Sequence, residues 1–381
     1  MEAQLLLEEV LKSIEGTDNR AVELIKNNLA LTYGNQGRWK EAEELLVQAM
    51  ETRERVLGQE HPHTLTSMGN LASTYRDQGR WKEAEELDVQ VMEAFERVLG
   101  QEHPSTLTSM ANLASTYQKQ GRWKEAEELF VQVMETFKRV LGREHPSTLT
   151  SMAYLASTYR NQGRWKGAEE LFVHVMGTFK RILGQEHPST LTSMADLAST
   201  YRDHGRWKEA EELEAQVMET RKRVLGQEHP DTLTSMANLA STYRNQGRWK
   251  EAEELEAQVM ETRKRILGQE HPDTLTSIGN LAPTYRNNGR WKEAEELFVQ
   301  VMKTEKRALG QEHPDTLASM ANLSSIYRNQ ERWDEAGELE LQVMEAEKRV
   351  LGQEHPDTLT AMANLASTYQ NQEQRKEAEE L

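Results

Sequence analysis

The chain has 381 residues, no cysteine, a net charge of -17 and only 37% hydrophobic residues. Without cysteine there is no disulfide framework, no thiolate-held zinc and no thiol nucleophile, and the acidic balance argues against a general binder of nucleic acid or anionic membrane. No run of about 18 apolar residues occurs and the N-terminal segment is acidic, so the composition fits a soluble, cytoplasmic protein with neither membrane span nor signal peptide.

In chain order, the first 16 residues lack the landmarks that recur later and read as an N-terminal capping helix or a remnant of a second helix, with Thr17 and Asp18 placed to cap the first repeated helix. Residues 17–381 then read as a single array. Its period is set by tryptophan, which stands at 39, 81, 123, 165, 207, 249, 291 and 333, each 42 residues after the last. The unit is clearest from Gln227 to Gly268, and the preceding copy, Gln185 to Gly226, differs from it at five of 42 positions. Self-similarity at such a period means one supersecondary unit stacked on its neighbours.

Each unit opens with His-Pro, as at His229-Pro230, where proline suits the first helical turn. Asp231 and Thr232 stand where they can satisfy free amides. Leu233, Met236, Leu239, Ala240 and Tyr243 then form the apolar stripe of a first helix, helix A. The run Asn245-Gln246-Gly247 breaks it, glycine supplying the positive φ of a tight turn. Helix B starts near Arg248-Trp249 and is expected to bury Ala252, Leu255, Val259, Met260, Ile266 and Leu267. Its acids come early and its bases late, the order the helix dipole favours. No strand signal appears, so the fold class is all-α: antiparallel helix pairs in an α-solenoid of about eight full repeats plus a truncated ninth. Pro283 stands inside one helix A, where a tolerated kink is expected. Leu381 corresponds to Leu255, so the ninth helix B is cut after its second turn. The expectation is a fragment, or an end whose bare stacking face invites end-to-end self-association.

Leu239-Ala240, Tyr243, Gly247, Ala252, Val259 and Pro272 keep the landmark order of the tetratricopeptide repeat, which this chain resembles over roughly residues 20 to 381. The usual 34-residue period is exceeded by eight, all of them between Val259 and Pro272. That period and the phrase GQEHPDT resemble the kinesin-light-chain type of repeat, also seen in sensor arrays of signalling ATPases. Met236 stands where the family often has tryptophan, and Glu256 where it has a large apolar residue. The resemblance implies a right-handed superhelix whose concave face, lined by helix A, binds peptides.

Two features are candidates for such a site. The side of helix A opposite its stripe carries ladders of amides and guanidinium groups: Asn70, Asn112, Asn238, Asn280 and Asn322, interrupted by Tyr154 and Asp196, and Arg76, Arg160, Arg202, Arg244, Arg286 and Arg328. Amides can pair with an extended backbone and guanidinium grips carboxylates, so one reading is a groove for an extended, acidic peptide. The other is a solvated face whose arginines pair with glutamates of the next unit. Second, the units disagree on helix B, where Phe95, Phe130, Phe137, Phe172 and Phe179 occupy two positions seven residues apart that elsewhere are charged. These form either a variable patch for a partner or unit-to-unit packing, and the helical angle near Ala252 and Val259 favours packing.

One Trp per unit at a fixed helix start is expected to pack between helices. His-Pro pairs 42 residues apart are too widely separated for one zinc and read as turn residues. Catalytic motifs are missing: no phosphate-cradling glycine loop, no G-x-S-x-G, no H-E-x-x-H. The function expected from sequence is therefore a non-catalytic, cofactor-free protein-interaction scaffold with a peptide or protein partner. The alternatives are a self-associating structural array and the repeat region of a larger signalling ATPase.

Overall fold

The computed structural model describes residues 20–36 and 38–371. The expected N-terminal capping helix, the Thr17-Asp18 cap and the truncated last helix B lie outside the described residues. Among those described there are 17 α-helices and no strand, an all-α array of helix pairs. It divides into two compact units, one ending at Gln162 and one starting at Gly163.

The first unit holds α1 (Arg20–Asn35), α2 (Trp39–Leu57), α3 (Pro62–Asp77), α4 (Trp81–Leu99), α5 (Pro104–Lys119), α6 (Trp123–Leu141) and α7 (Pro146–Asn161). The second holds α8 (Trp165–Leu183), α9 (Pro188–Asp203), α10 (Trp207–Leu225), α11 (Pro230–Asn245), α12 (Trp249–Leu267), α13 (Pro272–Asn287), α14 (Trp291–Ala308), α15 (Pro314–Asn329), α16 (Trp333–Val350) and α17 (Pro356–Asn371). Odd-numbered helices are helix A and even-numbered ones helix B. Within each unit every helix packs on the one before and the one after it, and helix A also touches the next helix A at α3–α5, α9–α11 and α11–α13.

Helix A begins differently from the expectation. The cap is the histidine, not Asp231 or Thr232: His229 is extended at φ -65 and ψ 138, and its Nδ1 accepts the Asp231 backbone N–H at 3.2 Å. An imidazole nitrogen thus fills the role that a serine or aspartate oxygen usually plays. Proline at the first helical position fixes the backbone that makes this reach possible. Thr232, fully buried, donates its hydroxyl to the Gly226 carbonyl at 2.8 Å and ties the previous helix B end to the new helix start.

The turn from helix A to helix B is a glycine cap. Gly247 has φ +75, and the Arg248 N–H reaches back to the Tyr243 carbonyl at 2.9 Å, satisfying a carbonyl the helix end would otherwise leave open. Arg248 then holds successive helix pairs together. Its guanidinium lies 4.1 Å over the Tyr243 ring, donates to Glu251 of its own helix at 2.9 Å and to Glu211 of the preceding helix B at 2.8 Å. The same clamp recurs with Arg80 and Glu43, Arg122 and Glu85, Arg206 and Glu169, Arg290 and Glu253, and Arg332 and Glu295.

The core is a strip. Leu233 and Met236 of α11 meet Val259 of α12, with Met218 and Leu255 packed against them, and the next pairs repeat this as Leu275, Ile278 and Val301. Helix A runs 16 residues against 19 for helix B. The last turn of helix B therefore extends beyond the helix it packs on. Ile266 and Leu267, expected in the core, are 42% and 37% exposed for that reason. The buried stripe of α12 is instead Ala252, Glu256, Val259 and Arg263. Helix α13 runs through Pro283 without a break in its assignment.

One turn departs from the pattern. Glu331 replaces the cap glycine and is the single non-glycine residue with positive φ among those described, at +60°. A left-handed conformation costs an L-residue roughly 1–2 kcal/mol that glycine avoids. Glu331→Gly is expected to raise the urea-unfolding free energy by about 1 kcal/mol; an unchanged or lowered value would show that the turn is not strained.

Candidate functional site

The outward face of helix A runs through Asp231, Thr234, Asn238, Ser241 and Asn245 in α11, and polar residues recur at the corresponding positions of the other A helices, with charge confined mainly to the helix ends. Asn70, Asn112, Asn238 and Asn280 are half-buried, as is Asp196, and Asn322 and Tyr154 are exposed. The threonine hydroxyls turn back on their own helix, Thr234 donating to the Pro230 carbonyl at 3.0 Å. The asparagine side chains thus remain the chief hydrogen-bonding groups that this strip turns outward, although Asn70 also makes a long contact to Asn27 at 3.4 Å.

The arginine ladder lies differently. Arg76 donates to the Asn112 carbonyl at 3.1 Å and to the Thr116 hydroxyl at 3.0 Å, and its guanidinium stands 3.6 Å from Asp88. Arg202 reaches Glu214 at 2.8 Å, Arg244 the Asn280 carbonyl at 2.8 Å and Glu256 at 3.3 Å, and Arg328 reaches Glu340 at 3.4 Å. Arg286, whose helix B carries Phe298 at the acid position, donates to Ser325 at 3.1 Å. Arg160 is half-buried. Arg76, Arg202, Arg244 and Arg328 each neutralise a carboxylate in helix B of their own repeat, and Arg76, Arg202, Arg244 and Arg286 also reach the next helix A. Pairing with the next unit, the partner expected from sequence, is to its main chain and hydroxyl groups instead.

The variable positions of helix B are interior. Phe130 and Phe172 are 0% and 1% exposed, and Phe95, Phe137 and Phe179 are likewise buried. They pack between helices, and no exposed aromatic patch forms from them. Three of the four acids at the first position also accept from a threonine of the next helix A: Asp88 from Thr116 at 2.6 Å, Glu214 from Thr242 at 2.5 Å and Glu256 from Thr284 at 2.6 Å, whereas Glu340 accepts from Ser324 at 3.2 Å. At the second position Arg221 and Arg263 donate to Ser235 and Ser277, both at 2.9 Å.

Glu305 and Glu347 occupy that second position without a cation. Burial pushes Glu305 up to about 7, with Asp315 adding repulsion and a hydrogen bond from Ser319 opposing it. Burial, then Asp357, does the same to Glu347, and burial raises Glu256 to about 7 against the pull of Arg244. Perturbed carboxylates often mark catalysis, but these lie inside helix packing. A cleft of about 540 Å³ is lined by Gly289, Trp291, Lys292, Glu293, Asn329 and Gln330, at the helix turns, away from all three. Among the described residues no group of three or more acidic or histidine side chains is placed to hold a metal ion, and no helix is long and apolar enough to cross a membrane.

Arg244→Gln strands the Glu256 carboxylate and is expected to cost about 3 kcal/mol in a urea titration. Adding Glu256→Phe, which copies the Gln118 and Phe130 arrangement already present in α5 and α6, should recover most of that loss. An additive double variant would refute the pairing. For Glu305 the raised value means that the folded state holds a proton the unfolded chain releases. Its contribution is full below the ordinary glutamate value and is lost as pH rises through about 7. Glu305→Gln should therefore gain on the wild type between pH 6 and 8.5 by on the order of 1 kcal/mol, and a pH-independent difference would contradict it.

Comparison with known proteins agrees with the helix pairing. A family model described as tetratricopeptide repeat matches residues 22–97, 69–139, 106–176, 273–346 and 317–381, and a second with the same description matches 190–231 and 232–273. No curated protein matches. Among solved structures, a putative kinesin light chain with nearly identical repeats from Podosopora anserina is 38% identical over 53% of this chain and 95% of its own, at a TM-score of 0.46. The apo quorum sensor NprR from B. thuringiensis is 14% identical over 91% and 93% at 0.59. A Rap protein complexed with Competence and Sporulation Factor is 11% identical over 93% and 99% at 0.55. With family models covering most of its length and helix pairs recurring every 42 residues, the chain belongs to the tetratricopeptide-repeat family.

Proposed function

We propose that this chain is a non-catalytic interaction scaffold that takes an extended segment of a partner protein along the outward faces of its A helices. The observation that carries this is the strip itself. It offers an amide at one position in most repeats, on A helices that touch one another at α3–α5 and α11–α13. An amide both donates and accepts, so a row of them can track the alternating N–H and C=O groups of an extended backbone.

The arginines modify the expected chemistry. Arg76, Arg202 and Arg244 have acidic and carbonyl partners within the protein, so the charge that would select an acidic peptide is already matched. The segment that fits is uncharged, held by the amides of Asn70 and Asn112 in the first unit or of Asn238 and Asn280 in the second. At the level of fold, a structure similar to this chain, the Rap protein, is complexed with Competence and Sporulation Factor, in keeping with an architecture that receives a partner.

Peptides selected from a random display library on the full chain provide the probe. Replacing both asparagines of one unit with alanine, Asn70 and Asn112 or Asn238 and Asn280, should weaken the binding of peptides held there about tenfold, the loss expected for one or two net hydrogen bonds. Helicity by circular dichroism should stay unchanged. Unaltered affinity for every selected peptide would remove the asparagine strip as the binding surface.

A further inference from the structure

Repetition makes a uniform strip, and a uniform strip cannot fix where along it a segment sits. One residue breaks the uniformity. At the position of Asn238 the described A helices carry asparagine, or aspartate at Asp196, except in α7, which carries Tyr154. Its ring is 46% exposed and stacks on Phe130 of α6, with ring centroids 5.5 Å apart and planes inclined by 22°. The neighbouring arginine position is changed as well. Gln118 of α5 stands where the ladder has arginine, and its amide donates to Thr158 of α7 at 2.7 Å.

Packing alone accounts for part of this. With Phe130 in place of a carboxylate, an arginine at 118 would be half-buried without a countercharge, and the neutral glutamine avoids that cost. Packing does not account for the tyrosine. Phe298 occupies the same helix B position in α14 and is 1% exposed with Asn322 at the corresponding place. A phenylalanine there is buried without an aromatic cover. The ring of Tyr154 is thus surplus to the interior and presents one face outward.

We propose that Tyr154 is the register pin of the strip: it stacks on a single aromatic side chain of the bound segment and so sets which part of that segment lies on α5 and α7. This rests on the reading of the helix A faces as the binding surface. The occupant is an extended, uncharged peptide segment of a partner protein bearing one aromatic residue. Charge supports that choice. In a chain of net charge -17, the faces around the ring carry Asn70, Asn112, Ser115 and Ser157; Arg76 is matched by Asp88, Arg160 is half-buried, and Asp77 and Lys119 stand at the far ends of α3 and α5. Tyr154 is itself held by Phe130, so its ring offers a fixed platform, and aromatic pairs prefer such offset or tilted stacking.

The test is a random peptide display library selected on the full chain, with affinities then measured on Tyr154→Asn, Tyr154→Phe and the variant in which Asn70 and Asn112 are both alanine. Asparagine is the residue that other repeats carry at this place, so the first variant should fold with unchanged helicity. Wild-type selections should converge on sequences with one aromatic position and little charge. Those peptides should bind Tyr154→Asn about tenfold more weakly, and Tyr154→Phe nearly as well as wild type. If the peptides bind Tyr154→Asn undiminished yet lose affinity for the double asparagine variant, the pin is wrong and the strip stands. Charged peptides without an aromatic residue also overturn the pin. Indifference to both changes, or no enrichment at all, overturns pin and strip together. Concentration-dependent self-association lost in Tyr154→Asn would reassign the ring to a second copy of this chain.

Discussion

The array depends on a single joint made at the start of each helix B. An arginine lies flat on the tyrosine of its own turn, takes one glutamate from its own helix and one from the previous pair, as Arg248 does with Tyr243, Glu251 and Glu211. Each of these contacts by itself is weak, because surface ion pairs contribute little and are screened. Their geometry is what counts. The guanidinium is planar and its donors point in fixed directions, so the two carboxylates and the ring can be satisfied together only when the second pair sits at one distance and one rotation from the first. Burial of Leu233, Met236 and Val259 supplies the adhesion, and the clamp sets the register in which that adhesion occurs.

Within this frame the interior has been allowed to vary. The two variable helix B positions carry aromatic, aliphatic or charged residues, yet all are buried except the half-buried Arg53 and Glu347. Asp88, Glu214 and Glu256 each have a threonine donor and an arginine nearby. Buried charges that are compensated in this way add little net stability over a well-packed phenylalanine. They do impose directional matching, and a helix pair bearing Glu256 requires the Arg244 and Thr284 that accompany it. Glu305 has only the Ser319 hydrogen bond and Glu347 no such support, and burial raises both carboxyls.

Much of the architecture was legible in the sequence because tryptophan, His-Pro and Gly recur at fixed offsets and because helix A keeps a clean apolar stripe. Three points were not. Histidine is rarely counted among capping residues, so the role of His229 was given to Asp231 and Thr232; only the extended conformation set by the adjoining proline brings Nδ1 to the amide. Ile266 and Leu267 continue the apolar stripe of helix B by angle, and nothing in a helical wheel reports that helix A is three residues shorter and leaves them uncovered. The arginines fit a partner's carboxylates and the protein's own equally well by residue type. Gln118 replaces arginine where Phe130 replaces the acid twelve residues on, but Arg160 and Arg286 remain with Phe172 and Phe298, so residue type alone does not separate the two.

The joint at each helix B start also bears on how such a chain can change over generations. Because the same arginine, tyrosine and glutamates form it from one pair to the next, a whole 42-residue segment carries a matching plug at one side and socket at the other. Insertion or loss of a segment by unequal exchange between near-identical stretches of gene therefore leaves each surviving boundary already fitted, and repeat number can drift without any new interface having to be invented.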